Sequence, residues 1–258
     1  MSFKFLFVSF AAALLLAACQ SGGAKMSDER HVEQADAAYA QGNYQQAFKL
    51  YESFAAQGNA AAQSNLGLMY AEGRGMLKNY EKARAWWEKS AAQGYAKAQY
   101  NLGVLYDRGW GVPKDYAKAR AWYEKAAAQG FADAQLNLGF LYIKGLGVPK
   151  DYAKARVWYE KAAAQGDAEA QYNLGVLYTK GLGVPKDYAK ARVWYEKAAA
   201  QGNADGQLGL GVLYANGWGV PRDYAKAHAW LEKSAAQGNV KAKEALQKLD
   251  QSEARRAR

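Results

Sequence analysis

A single cysteine, Cys19, leaves the chain without any possible internal disulfide, so its fold is held by its core alone. Histidine is nearly as scarce. His31 lies near the start and His228 far downstream; a site built from both is not expected, both read as surface residues, and no Cys/His spacing suited to a metal occurs. No serine is followed by lysine three places later, which removes the serine–lysine nucleophile arrangement. The turn Gly181-Leu182-Gly183 has the look of a phosphate loop but lacks a preceding strand and a following lysine-serine pair, so it reads as a helix breaker. Asp151 and Asp187 recur as caps on separate units rather than as an acid/base pair. The sequence therefore assigns no catalytic residue, no cofactor and no metal, and the expectation is a protein that is not an enzyme.

What is present is repetition. Half of the residues are apolar and 14% are aromatic, a globular composition. Between Asn59 and Gly238 a 36-residue unit recurs five times, at 59–94, 95–130, 131–166, 167–202 and 203–238. A tandem period of that length marks a stack of helical hairpins in which each unit touches its neighbours.

Within one copy, Ala98, Leu102, Leu105 and Tyr106 fall on one stripe of a helix A that ends near Asp107. The segment from Gly109 to Pro113 forbids continuation, and Asp115 caps the next helix. From Tyr116, the spacing of Ala119, Trp122, Tyr123 and Ala126 gives a helix B, which Gln129-Gly130 closes. Gly103 sits inside helix A at a cost of roughly 1 kcal/mol against alanine. Its recurrence as Gly67, Gly139, Gly175 and Gly211 predicts close approach of A to B. Upstream, residues 29–58 form a shorter hairpin with only Gln41-Gly42 between its helices, and Leu50 stands where the copies carry Trp86 or Trp122. Downstream, residues 239–250 read as a polar capping helix and 251–258 as a basic tail.

The first residues read as a processing segment. Lys4 precedes an apolar run from Phe5 to Ala18, too short for a membrane span and suited to a signal peptide over 1–18. Its end, Leu16-Ala17-Ala18-Cys19, resembles the bacterial lipobox. The resemblance implies cleavage before Cys19, lipid on its sulfur and new amino terminus, and membrane association through that lipid. Several tens of methylenes at about 0.8 kcal/mol each would make such an anchor effectively permanent. Gln20 in place of aspartate implies the outer membrane, and residues 19–28 read as a flexible tether that holds the body in the periplasm.

Asn101-Leu102-Gly103-Val104-Leu105-Tyr106, Gly147-Val148-Pro149-Lys150-Asp151-Tyr152 and the run Trp158-Tyr159-Glu160-Lys161-Ala162-Ala163 are similar to the consensus of the Sel-1-like repeat family, relatives of tetratricopeptide repeats. The resemblance covers 59–238; the unit before it is closer to a plain tetratricopeptide repeat. It implies an all-α, right-handed solenoid of antiparallel helix hairpins with an adaptor or scaffold role. The cysteine-rich secreted branch staples each repeat with a disulfide, and this chain departs from it.

Slots that differ among the copies are released from the common packing. One holds Ala61, Lys97, Asp133, Glu169 and Asp205; the next holds Ser64, Tyr100, Leu136, Tyr172 and Leu208. Others hold Leu68, Val104, Phe140, Val176 and Val212, and then Glu72, Arg108, Lys144, Lys180 and Asn216. They correspond to the inner-groove contacts of tetratricopeptide-like repeats. The expected groove has Tyr100, Leu136, Phe140 and Tyr172 at its centre, charges at its rim, and Asn101, Asn137 and Asn173 beside it as amide contacts to a peptide backbone or as ties between units. The expected partner is a protein or peptide. Alternatives are a cell-wall or surface glycan, using Tyr100, Tyr172, Trp110 and Trp218, and an enzyme acting on peptidoglycan.

The net charge of +10 raises a nucleic-acid reading. Around one helix B, however, Lys114, Lys118, Arg120 and Lys125 are interleaved with Asp115 and Glu124, the pattern of a solvated face. With export also implied, no nucleic-acid partner is expected.

Overall fold

The computed structural model describes residues 32–256. The leader, Cys19, the tether, His31 and Arg258 lie outside the described residues. Thirteen helices and no strand occur among them, as expected for the all-α class. None is long and apolar enough to cross a membrane.

The helices fall into two compact units divided after Pro113. The first contains α1 (residues 32–40), α2 (Tyr44–Ala56), α3 (Ala60–Glu72), α4 (Tyr80–Ala92) and α5 (Ala96–Arg108). The second contains α6 (Tyr116–Ala128), α7 (Ala132–Lys144), α8 (Tyr152–Ala164), α9 (Ala168–Lys180), α10 (Tyr188–Ala200), α11 (Ala204–Asn216), α12 (Tyr224–Ala236) and α13 (Val240–Arg256). From α2 to α12 each helix has 13 residues, about 20 Å of axis. Consecutive helices pack on one another within each unit.

Local chemistry explains the boundaries. Asp151 and Asp187 accept the backbone N–H of Lys154 and Lys190 at 2.9 Å, satisfying amides that the first helical turn leaves open. At the other end of helix A, Gly145 and Gly181 adopt φ near 69°, which a side chain resists. The connector then returns, and the amides of Asp151 and Asp187 bond to the carbonyls of Tyr142 and Tyr178 at 3.0 Å.

The glycine inside helix A does what its recurrence predicts. A Cβ on Gly139 or Gly175 would lie 2.3 Å from the ring of Tyr159 or Tyr195, and one on Gly67 would lie 2.6 Å from Trp87. The fully buried aromatic is thus the residue after the repeated tryptophan. Trp86, Trp194 and Trp230 are only half-buried. Trp86 packs on the α1–α3 core, Trp194 on the α8–α9 core and Trp230 on the α10–α11 core.

Between repeats runs a relay of amides whose role the sequence reading missed. Gln171 of α9 donates to the carbonyl of Ala163 at the end of α8 and accepts from Gln201 beyond α10 at 2.9 Å. Gln135 and Gln165 repeat the link at 2.9 Å, Gln207 and Gln237 at 2.8 Å, and Gln63 and Gln93 at 2.8 Å in the first unit. These buried glutamines therefore have their polar groups matched.

The C-terminal helix differs from expectation. Instead of stopping at residue 250 it continues to Arg256, so residues 251–256, expected as a tail, are helical. Leu249 is buried against α12, and Asp250 and Glu253 both reach His228, which anchors the added turn.

Replacing Gly175 with alanine tests the ring-on-glycine contact. Helix propensity alone favours the change by roughly 1 kcal/mol, whereas driving a methyl into the Tyr195 ring costs about 1–3 kcal/mol. A lowered melting temperature is expected; a raised one would show the contact to be slack.

Candidate recognition surface

In the first unit, two adjoining depressions open on the face of α3 and α5. The larger, about 350 Å³, is lined by Leu68, Glu72, Arg74, Tyr80, Asn101, Val104 and Trp110 among others. The smaller, about 280 Å³, takes in Asp36, Ala61, Asn65, Leu68, Tyr95 and Lys97. Leu68 belongs to both. Of the residues expected in the groove, Lys97, Asn101 and Val104 line these depressions, Tyr100 is half-buried, and Arg108 is exposed at the end of α5.

Their polar groups fall into two states. Asp36 accepts from the Tyr51 hydroxyl and from Asn65 Nδ2 at 3.1 Å, so Asn65 serves as a tie between α3 and α1. Burial, then the bond to Asp36, pushes the Tyr51 phenol well above its ordinary value. Glu72 accepts from the Tyr39 hydroxyl at 2.6 Å and pairs with Arg74 Nε at 2.7 Å, while the Arg74 guanidinium lies 5.2 Å from the ring centres of Tyr39 and Tyr44. Asn101 Nδ2, in contrast, is buried without a hydrogen-bond partner. Trp110 lies stacked on Tyr80, centroids 5.3 Å apart, and remains 37% exposed.

The second unit places its candidates differently. Asp133, Glu169 and Asp205 stand in the first turns of α7, α9 and α11, and Lys144 and Lys180 end α7 and α9, an order that matches the helix dipole. Burial, then Asp167, raises the Asp133 carboxyl; burial, then Asp167 and Asp205, raises that of Glu169. Asn137 and Asn173 are half-buried. Phe140 is the open apolar residue, 46% exposed, with Lys144 Nζ 5.6 Å from its ring centre.

Leu136 and Tyr172, expected at an open apolar centre, are instead half-buried. Tyr172 stacks on Tyr195 at 6.0 Å, and Leu136 packs against the core containing Tyr159. In the first unit Trp87 Nε1 donates to the carbonyl of Ser64, which is fully buried. Variation at this slot therefore does not by itself mark an open surface, since Leu136 and Tyr172 both rest on the tyrosine of a helix B. Asp36, Tyr39 and Arg74 line the depressions without a signal in the repeat pattern, since they belong to the atypical first hairpin and turn; Trp110, expected as a glycan contact, lies here on Tyr80.

The cations of helix B are neutralised locally. Lys154 pairs with Asp151 at 3.6 Å, Arg156 with Glu160 at 2.9 Å, and Lys161 Nζ sits 4.1 Å from the Trp158 ring centre. This is the solvated face that the interleaving predicts.

Acid titration checks the charge cluster at the helix A starts. The folded state binds protons at Asp133 and Glu169 more tightly than the unfolded chain does, so their contribution to stability grows as pH falls from neutral through the carboxylate range. The capping carboxylates Asp115, Asp187 and Asp223 are lowered, first of all by the backbone N–H bonds they accept, and oppose this in stronger acid. Glu169→Gln is expected to melt higher than the parent at pH 7 and to gain less on acidification. Parallel melting-temperature curves for the two proteins would contradict it.

A family model described as Sel1 repeat matches residues 36–59, 60–95, 96–131, 132–167, 168–203 and 204–239. Among solved structures, a Sel1 repeat protein from Oxalobacter formigenes is 39% identical, with a TM-score of 0.77 over 82% of this chain and 84% of that one. A protective antigen present in uropathogenic Escherichia coli strains is 36% identical with a TM-score of 0.77; the match covers 84% of this chain and 48% of the antigen. Among proteins of curated function, none matches.

Proposed function

Because the chain belongs to the Sel1 repeat family, whose members are generally protein-interaction scaffolds, we propose that it binds an extended segment of another protein along the α3–α5 face of its first unit. The observation that carries this reading is the coincidence of varying helix A slots with the two depressions. Leu68, Glu72, Lys97 and Val104 differ between copies and line recessed space.

Asn101 supplies the specific contact. A buried amide donor left without a partner costs about 1–3 kcal/mol, and a backbone carbonyl of a bound segment relieves that cost. The shared wall at Leu68 and the exposed face of Trp110 offer apolar anchorage, with Lys97 and the Glu72–Arg74 pair at the edges. In this reading the protein is a scaffold or regulator and not an enzyme.

The setting we propose is the bacterial envelope, with the body held in the periplasm at the outer membrane by lipid on Cys19. The support is the sequence Leu16-Ala17-Ala18-Cys19-Gln20. Radiolabelled palmitate is expected to label the parent and not Cys19→Ala, and the variant should leave the membrane fraction; equal labelling would sink the anchor.

Recognition is tested by comparative pull-down from detergent-solubilised envelope. Asn101→Ala combined with Val104→Arg is expected to keep the parent's helical circular dichroism while weakening capture of a specific protein about 10-fold or more. Unchanged recovery by the folded variant would exclude this face. The exposed Trp110–Tyr80 stack supports a second reading, a glycan ligand; loss of sacculus binding in Trp110→Ala with protein capture intact would favour it.

A further inference from the structure

In four repeats the same helix B slot carries arginine, and each arginine pairs with the glutamate four residues on: Arg84 with Glu88 at 3.5 Å, Arg120 with Glu124 at 3.6 Å, Arg156 with Glu160 at 2.9 Å and Arg192 with Glu196 at 3.7 Å. The last repeat carries His228 there, with Glu232 four residues on. His228 reaches across to α13 instead, where its Nε2 lies 3.3 Å from Asp250 Oδ1 and 3.0 Å from Glu253 Oε2.

Two carboxylates converging on one imidazole nitrogen are poorly served by a hydrogen bond, since that nitrogen carries at most one hydrogen. A metal ion at the centre serves all three ligands. Their donor atoms lie within 4.8 Å of one another. Bonds of about 2.0–2.1 Å in a tetrahedron put ligands roughly 3.3–3.4 Å apart. The Asp250 distance to Nε2 therefore already fits, the Glu253 distance opens by a few tenths of an ångström, and the two carboxylate oxygens, within 4.8 Å of each other, need only side-chain rotation to meet that spacing. Asp250 and Glu253, three residues apart, share one face of α13, and both are partly exposed, which leaves room for the adjustment and for water at an open position. One imidazole nitrogen and two carboxylate oxygens form a ligand set suited to zinc and similar borderline divalent ions, rather than to calcium or magnesium, which take oxygen alone.

We propose that His228, Asp250 and Glu253 bind one zinc-type divalent cation, which clips the terminal helix α13 to α12 of the last repeat. Metal on this clip keeps the added turn of α13 in place and leaves one coordination position open. The site is separate from the proposed recognition face, and its test does not depend on that reading.

The experiment titrates the chelator-treated full chain with zinc chloride by calorimetry and follows thermal unfolding. Cobalt(II) visible absorption and paramagnetic broadening of the two histidine imidazole signals report the ligands. The parent is expected to bind one ion, to melt higher with zinc than with chelator, and to lose the His228 signal to cobalt while His31 is spared. His228→Arg installs the residue that four other repeats tolerate, so it should fold, and it is expected to lose the zinc-dependent melting shift; Glu253→Gln and Asp250→Asn are expected to weaken binding at least 10-fold. No saturable uptake by the parent would overturn the proposal. So would undiminished uptake by folded His228→Arg, which would place the ion elsewhere, as at Cys19.

Discussion

The seating of a helix B side chain on a helix A glycine is the contact from which the rest of each repeat follows. Tyr159 on Gly139, Tyr195 on Gly175 and Trp87 on Gly67 bring two helices together at a point where no Cβ can stand. That approach fixes which face of helix A meets its own partner. The remaining faces then go to the neighbouring repeat and to the inner surface. Glycine's weak helix propensity is offset because removing the side chain buries a large ring completely.

Tight apolar seating leaves polar groups to be matched, and the glutamine relay does this. Gln135 and Gln171 each take one backbone carbonyl of the preceding helix and are bonded in turn by a glutamine from the following repeat. An apolar side chain at either point would strand a buried carbonyl or amide. The relay therefore sets the register between repeats while the rings supply most of the buried area. Together they constrain the repeated slots and leave a few slots of helix A to differ from copy to copy.

Those ends break the pattern. The first hairpin has a short connector, and its Asp36 and Tyr39 bond to Tyr51, Asn65 and Glu72. The last repeat exchanges an arginine that pairs along its own helix for His228, which looks to the next helix. Internal repeats must match two neighbours of their own kind, whereas a terminal one faces a different partner. New polar chemistry accordingly appears where the constraint of repetition is lifted.

Helix count, helix ends and hairpin pairing were legible in the sequence, because glycine, the capping carboxylates and the apolar period act over a few residues and recur in every copy. Asp187 caps its helix and Gly175 admits its ring as that reading requires. The candidate face was legible in part: variation pointed to Lys97 and Val104, which line recessed space beside the repeated Asn101, but also to Leu136 and Tyr172, which rest on a helix B tyrosine. Whether a varying side chain opens to solvent, as Phe140 does, or packs on a ring, as Tyr172 does, depends on contacts that only the tertiary structure brings together. The same holds for His228, Asp250 and Glu253, separated along the chain and joined only when the last helix folds back. The sequence by itself determined the repeating unit, since its rules are local; packing between helices decided what those units leave exposed and which distant side chains meet.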